Sequence, residues 1–171
     1  MSRTTMFKSG GNSENLRTTF NDLRTFVLAA LTGNFVRTDP TLAIGTSSAK
    51  AVKASAFTFN IKGMPIAHAG AETAFTATTH DVADGYTRKF ILEVPAGGTI
   101  VITPGTAVLA GATCTAPATT AAHAKLGEVQ ITADGAIFNA TTDDLDASHL
   151  TVTYEDFDFI TQTDGFQLTY T

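Results

Sequence analysis

The sequence lacks tryptophan, contains one cysteine, and has charged side chains at only 16% of its 171 positions. A single cysteine excludes an internal disulfide, and Cys114 has no Cys or His nearby at metal-binding spacing, so we interpret it as a small packing residue. No apolar run approaches the ~18–20 residues of a membrane-spanning helix. The first residues lack the apolar core of a secretory signal, so we expect no secretion by that route.

Motifs that announce catalysis or cofactor binding are also missing. The sequence contains no GxGxxG or GxxxxGK[ST] phosphate loop and no GxSxG elbow. Its four histidines are dispersed without HxH or HxxxH spacing: His68, His80, His123 and His149. We therefore predict no catalytic residues, no cofactor and no metal site, and a protein that is not an enzyme. The cluster Asp143, Asp144 and Asp146 lacks the central Gly and terminal Glu of a calcium loop, and whether it holds a cation stays open.

Alanine and threonine together make up about a third of the chain, well above ordinary usage. Charge is divided unevenly: residues 1–62 carry eight basic and three acidic side chains, whereas residues 63–171 carry three basic and thirteen acidic ones. Low charge content, with a basic N-terminal part and an acidic remainder, favours a protein whose surface is covered by neighbouring proteins, including copies of itself. The basic residues are spread out without aromatic stacking partners, so nucleic-acid binding is not expected.

One amphipathic helix is predicted over residues 12–33, after a polar arm at residues 1–11. Asn12 or Ser13 caps its start, and Gly33 is a suitable terminator. Its apolar side chains recur at three- and four-residue steps, with basic residues beside them. We predict that this face contacts other copies or a larger assembly through Leu16, Phe20, Leu23, Phe26, Val27, Leu31, Arg17 and Arg24.

The rest of the chain predicts a mainly β domain over residues 49–155, an antiparallel sandwich or barrel, preceded by a linker at residues 34–48. Lys62-Gly63 predicts a tight hairpin turn, and Pro65 in the returning strand predicts a sheet edge. A second hairpin is expected around residues 95–98, and Asp134-Gly135 predicts a third with a strand at residues 136–139. Residues 104–125 are poor in strand formers and are expected to wrap over a surface. Residues 156–171 are interpreted as a C-terminal hairpin or tail.

Four segments carry a family resemblance: Ala56 to Gly63, Tyr86 to Gly105, Pro117 to Lys125, and Leu126 to Leu145 followed by "LTVTY". Their succession, an "AFT-x-x-I-x-G" hairpin, an Ala/Thr-rich connector, a second hairpin and a closing "L-G-x-V-x-I" strand, resembles virion structural proteins of tailed bacteriophages. The resemblance spans about residues 50–155 and leaves out the helix and the C-terminal tail.

This resemblance implies a head decoration, or cement, protein without enzymatic activity. Such a protein would form a homo-oligomer, expected here to be a trimer. It would bind the major capsid protein on the virion surface after assembly in the host cytoplasm. The alternative is a tail-fibre or receptor-binding module that recognises host glycans through exposed aromatics such as Tyr86, Tyr154 or Tyr170. The sequence leaves strand order, symmetry and head or tail location open.

Overall fold

The computed structural model describes residues 17–24, 27 and 33–157. Residues 17–24 and 27 are helical, and the rest is mainly antiparallel β-structure, which confirms the predicted fold class. The predicted arm at 1–11 and most of the tail at 156–171 lie outside the described residues. The strands are β1 (Phe35–Val36), β2 (Ala43–Ile44), β3 (Ala51–Ala54), β4 (Phe57–Ile61), β5 (Met64–His68), β6 (Ala71–Ala74), β7 (Tyr86–Pro95), β8 (Val101–Pro104), β9 (Val108–Leu109), β10 (His123–Ala133) and β11 (Leu150–Asp156).

Three antiparallel sheets make up the described β domain. The largest has the order β11-β10-β7-β8, with β9 added on β7, and the two smaller sheets have the orders β1-β4-β5 and β2-β3-β6. All three contribute to one apolar core, in a sandwich-like arrangement, because their inward positions carry β-branched and aromatic side chains. The largest fully buried side chains of this core are Phe59, Phe90, Phe138, Leu92, Leu126 and Ile131.

The longest strands, β7 and β10, form the central ladder of the large sheet. Their register runs from His123 opposite Pro95 to Thr132 opposite Thr87, with a bulge between Lys125 and Gly127. The bulge adds one residue to β10 and therefore exchanges the faces on which successive side chains lie. Ala124 before the bulge and Leu126 within it reach the core, whereas Val129 and Ile131 reach it afterwards. An even-to-odd switch in the core positions follows directly from this one inserted residue.

The hairpin β4–β5 has the predicted construction. Lys62 and Gly63 both have positive φ, 50° and 79°, as a two-residue turn of this kind requires. Phe57, Phe59 and Ile61 are buried, and β5 is an edge strand, so Pro65 removes no hydrogen bond from the interior of the sheet. The alternation in this segment therefore serves packing.

Residues 34–48 belong to the β domain, which corrects the linker predicted there. β1 pairs with β4, β2 pairs with β3, and Val36 and Leu42 are buried in the core. These strands are two residues long each, too short for periodicity to show. β1 is positioned by pairing with β4, more than twenty positions further along the chain, and β2 by pairing with β3, eight to ten positions further along.

The strand predicted at residues 136–139 does not form, and the hairpin at Asp134-Gly135 is therefore wrong. Phe138 instead makes an isolated bridge with Val82, and β10 pairs with β11, which begins at Leu150. Phe138 is fully buried. Its side chain packs in the core, and its segment therefore does not pair with β10. Two further short strands, β6 and β9, were not predicted from the sequence.

Residue 127 provides a steric test of the ladder. A Cβ on Gly127 would meet the Glu155 carbonyl oxygen and lie 2.5 Å from Leu42 Cδ1, whereas a Cβ on Gly97 would have no atom within 4 Å. We expect Gly127→Ala to lower the free energy of unfolding by about 1–3 kcal/mol, as overpacking does. Gly97→Ala is the matched control and should change it by less than about 0.5 kcal/mol. Urea unfolding measures both, and equal effects would contradict the close packing of β10 against β11.

Candidate interaction surfaces

The described part of the helix presents an uncovered apolar stripe, which we call the helix face: Phe20, Leu23 and Val27. Their side chains are 61%, 48% and 43% exposed, on steps of three and four residues. Arg17 and Arg24, also exposed, lie on the same helix. Of the eight predicted contact residues, these five are therefore placed on a solvent-facing helix. Leu16, Phe26 and Leu31 lie outside the described residues.

The chain enters the β domain at the tip of the β4–β5 hairpin. The Gly63 N–H donates to the Gly33 carbonyl at 3.4 Å, and the Lys62 N–H donates to Asn34 Oδ1 at 2.9 Å. Met64, beside this tip, is 67% exposed. The tip and the β7–β8 turn together line a shallow apolar groove of about 460 Å³. Its walls are Ile61, Lys62, Met64, Ile66, Pro95, Ala96, Gly97, Ala122 and His123.

Three turns meet at the other end of β7 and form what we call the three-turn end, residues 83–86, 109–111 and 134–137. Backbone hydrogen bonds join them: Gly85 N–H to the Ala133 carbonyl at 2.9 Å and Ala110 N–H to the Gly85 carbonyl at 2.8 Å. Asp84 Oδ1 accepts the Gly135 N–H at 2.7 Å. The turns need glycine because Gly85, Gly111 and Gly135 all have positive φ.

Large apolar side chains remain exposed on the three-turn end. Leu109 is 62% exposed, Ile137 is 52% exposed, and Tyr86 is 36% exposed. Tyr86 and Leu109 stand directly opposite each other on β7 and β9. Tyr86 was predicted from the sequence as an exposed aromatic, whereas Leu109 and Ile137 were not. The β7–β9 pairing that brings Leu109 beside Tyr86 leaves no periodic signal.

The face of the β7–β10 ladder away from the core is polar. Lys89 and Lys125 both bond Glu128, at 2.9 and 2.5 Å, and all three side chains are largely shielded from solvent. Burial alone would raise the pKa of Glu128, but the hydrogen bonds from Lys125 and Lys89 outweigh it and lower that pKa. The same contact raises the pKa of Lys89. Lys125 also lies 4.0 Å from the ring centroid of Phe157. The charged groups of Lys89, Lys125 and Glu128 therefore all have partners within the fold.

Of residues 104–125, which were expected to wrap over a surface, Thr120 bonds to this polar face, whereas Val108–Leu109 form β9 and His123 to Lys125 belong to β10. Glu93, 1% exposed, accepts hydrogen bonds from the Thr103 hydroxyl and from both the N–H and the hydroxyl of Thr120. Arg88 donates to the carbonyl oxygens of Gly105 and Thr79, at 2.7 and 2.8 Å. A buried carboxylate with three donors is fully engaged and serves to hold the covering segment in place.

The histidines of the described chain occupy separate structural positions. His68 accepts the Gly70 N–H through Nδ1 and donates from Nε2 to the Gly98 carbonyl, so both ring nitrogens hold turns. His80 accepts the Thr76 N–H at 2.7 Å through Nδ1 and packs edge-on against Phe75 and Phe90. Burial, with the nearby Arg88 charge, lowers the pKa of His80 and keeps its ring neutral.

The acidic cluster closes a turn. Asp143 accepts the Asn139 N–H at 2.8 Å and the Thr142 hydroxyl at 3.1 Å, and these bonds hold its pKa below the ordinary value. His149 Nε2 lies 3.7 Å from Asp143 Oδ2. Within residues 17–24, 27 and 33–157, no group of three or more His, Cys, Asp or Glu side chains is arranged to hold a metal ion.

The aromatic residues named for glycan recognition are dispersed. Tyr86 is on the three-turn end, while Tyr154 packs against the core and burial raises its pKa to about 12. Tyr170 lies outside the described residues. Neither the groove described above nor the smaller one around Ala54 and Gly70 is lined by a tyrosine.

Comparison with known proteins gave no relative of this chain. No protein-family model, no curated protein and no solved structure matched it. Among the described residues, no helix is long and apolar enough to cross a membrane.

His80 predicts a pH dependence of stability. The unfolded chain binds a proton near the ordinary pKa of about 6.5, whereas the folded site resists it, so stability should fall as pH drops below that value. The slope from this one site is at most about 1.4 kcal/mol per pH unit. His80→Asn keeps an acceptor for the Thr76 N–H and removes the titration. Urea unfolding at pH 7.5 and 5.0 should show a smaller loss in the variant than in the native protein, and equal losses would refute this role.

Proposed function

We propose that this protein is a non-enzymatic virion subunit that decorates the head of a tailed bacteriophage. It binds the outer lattice of the major capsid protein as a homo-oligomer, with a trimer as the expected state. The observation that carries the proposal is the helix face, where Phe20, Leu23 and Val27 are each more than two-fifths exposed. Surfaces of this kind are contact surfaces rather than ordinary solvent-facing helices.

The polar groups of the β domain support a structural role. Glu93, Glu128 and Arg88 are committed to contacts inside the fold, and His68 uses both ring nitrogens on neighbouring turns. Ionisable groups that hold turns and covering segments make a rigid block rather than a reactive cleft. The low charge content of the sequence, 16%, likewise suits a surface that neighbours cover.

The proposed action is mechanical. A rigid β domain seated on the lattice, linked to further copies through its helix, spans the joints between capsid subunits. Additional apolar contacts at each joint then have to break before the shell opens under the pressure of packaged DNA. The stability that the shell gains depends on how well these contacts pack rather than on their total buried area.

A single helix substitution tests this assignment. Phe20→Asp places a charge on the helix face, and we expect the affinity for heads to fall at least about tenfold, as when an interface anchor is lost. The β domain should keep its unfolding midpoint because Phe20 is 61% exposed. Met64→Asp, at a 67% exposed position on the edge strand β5, is the matched control. Co-sedimentation with DNA-filled heads measures binding. Full coating of the heads by the Phe20 variant would rule out the helix face as a surface on which head binding depends.

The copy number of the protein in purified virions tests the location. Quantitative mass spectrometry should find it in hundreds of copies, in a fixed ratio to the major capsid protein. A few dozen copies or fewer would place it in the tail and overturn the head assignment. Binding to a glycan array without affinity for heads would do the same.

A further inference from the structure

The described chain carries two exposed apolar surfaces that match each other. The helix face presents Phe20, Leu23 and Val27, and the three-turn end presents Tyr86, Leu109 and Ile137. These six residues are most of the large apolar side chains that stand exposed in the described residues. We propose that the helix face of one copy docks on the three-turn end of a second copy of this chain.

Charge on the two surfaces is complementary. Arg17 and Arg24 belong to the helix that carries the helix face, and both are exposed. The three-turn end contains Asp84 and Asp134, both exposed, and its residues 83–86, 109–111 and 134–137 include no Lys or Arg. Opposite charges around an apolar centre select the partner and its orientation. The groove beside the hairpin tip fits less well because its walls include Lys62 and His123 and no carboxylate.

Chain length excludes docking of the whole helix face on its own three-turn end. The chain is anchored at Gly33 to the tip of the β4–β5 hairpin, which shares the apolar groove with Pro95. From Val27 to Gly33 the backbone spans at most about 22 Å. Tyr86 and Pro95 terminate a ten-residue strand, and its ends lie about 30 Å apart. Val27 therefore falls short of its own three-turn end, so Phe20, Leu23 and Val27 cannot all dock there within one chain.

The contact joins unlike ends of two copies. A head-to-tail contact of this kind closes into a ring when the rotation between copies divides a full turn, and otherwise grows into a filament. The trimer expected above is a closed ring in these terms. The inference shares the helix face with the proposed function, and it names the surface that receives it. Its tests use the purified protein without heads, so each can fail independently.

Disulfide trapping tests the pairing directly. Phe20→Cys and Leu109→Cys are made in separate chains, both carrying Cys114→Ser so that the native thiol is absent. On mixing and mild oxidation, we expect a covalent product of two different chains. A product formed as readily by the Phe20→Cys chain alone would mean that helices pair with helices, which overturns the proposal. A disulfide within one chain carrying both cysteines, at concentrations where the protein is monomeric, would overturn it as well.

Sedimentation equilibrium tests the energetics. Leu109→Asp should weaken self-association at least about tenfold, because it removes a large apolar side chain from the contact and places a charge there. Met64→Asp, at a position that is 67% exposed near the hairpin tip, is the matched control and should leave association unchanged. The charge pair is tested by Asp134→Lys and Arg24→Glu. Each should weaken association, and combining them should restore part of it.

Three results of the sedimentation experiment would contradict the proposal: a native protein that is monomeric at high micromolar concentration, an equal loss in the Met64 variant, and no loss in the Leu109 variant. Head binding by a strictly monomeric native protein would overturn this inference and the expected homo-oligomer, but not the assignment to the phage head. Self-association through these surfaces, without any binding to heads, would overturn the proposed function alone.

Discussion

The ladder between β7 and β10 is the interaction on which the rest of the structure depends. It is the longest pairing in the described chain, and both of its faces are covered. One face supplies Phe90, Leu92, Val129 and Ile131 to the core that the two smaller sheets share. The bulge before Gly127 sets which side chains reach that core. A shift by one residue would turn the apolar set of β10 outward, so the register is strongly specified.

The other face of the ladder engages its charged groups with one another and with the covering segment. Glu128 is shared between Lys89 and Lys125, and Glu93 holds Thr120 of the covering segment. Buried polar groups of this kind destabilise a protein strongly when one partner is lost, since the remaining group stays desolvated. The centre of the domain is thereby closed on both faces, and its uncovered apolar side chains lie mainly on the helix and at the ends of the strands.

Sequence reasoning was most successful where structure is local. The β4–β5 hairpin, the turn at residues 95–98 and the long strands were predictable because alternation and turn chemistry lie within about twelve residues. The strands β1, β6 and β9 were missed because each pairs with a strand distant in the sequence, and β2 was missed because two residues show no periodicity. The strand predicted at residues 136–139 was wrong because a buried bridge from Phe138 to Val82 and a hairpin strand have the same local sequence pattern. Leu109 became a candidate contact only when the fold placed it opposite Tyr86, and Ile137 only when the fold left it exposed.

The central claim is that this protein works through contacts between copies, with a rigid β domain carrying an exposed helix. A cryo-electron microscopy reconstruction of the assembled protein on its particle tests this most directly. We expect density for the helix of each copy against the three-turn end of the next copy, in a ring on the outer head surface. A reconstruction in which each helix packs against its own β domain, with the ring held by other surfaces, would contradict it.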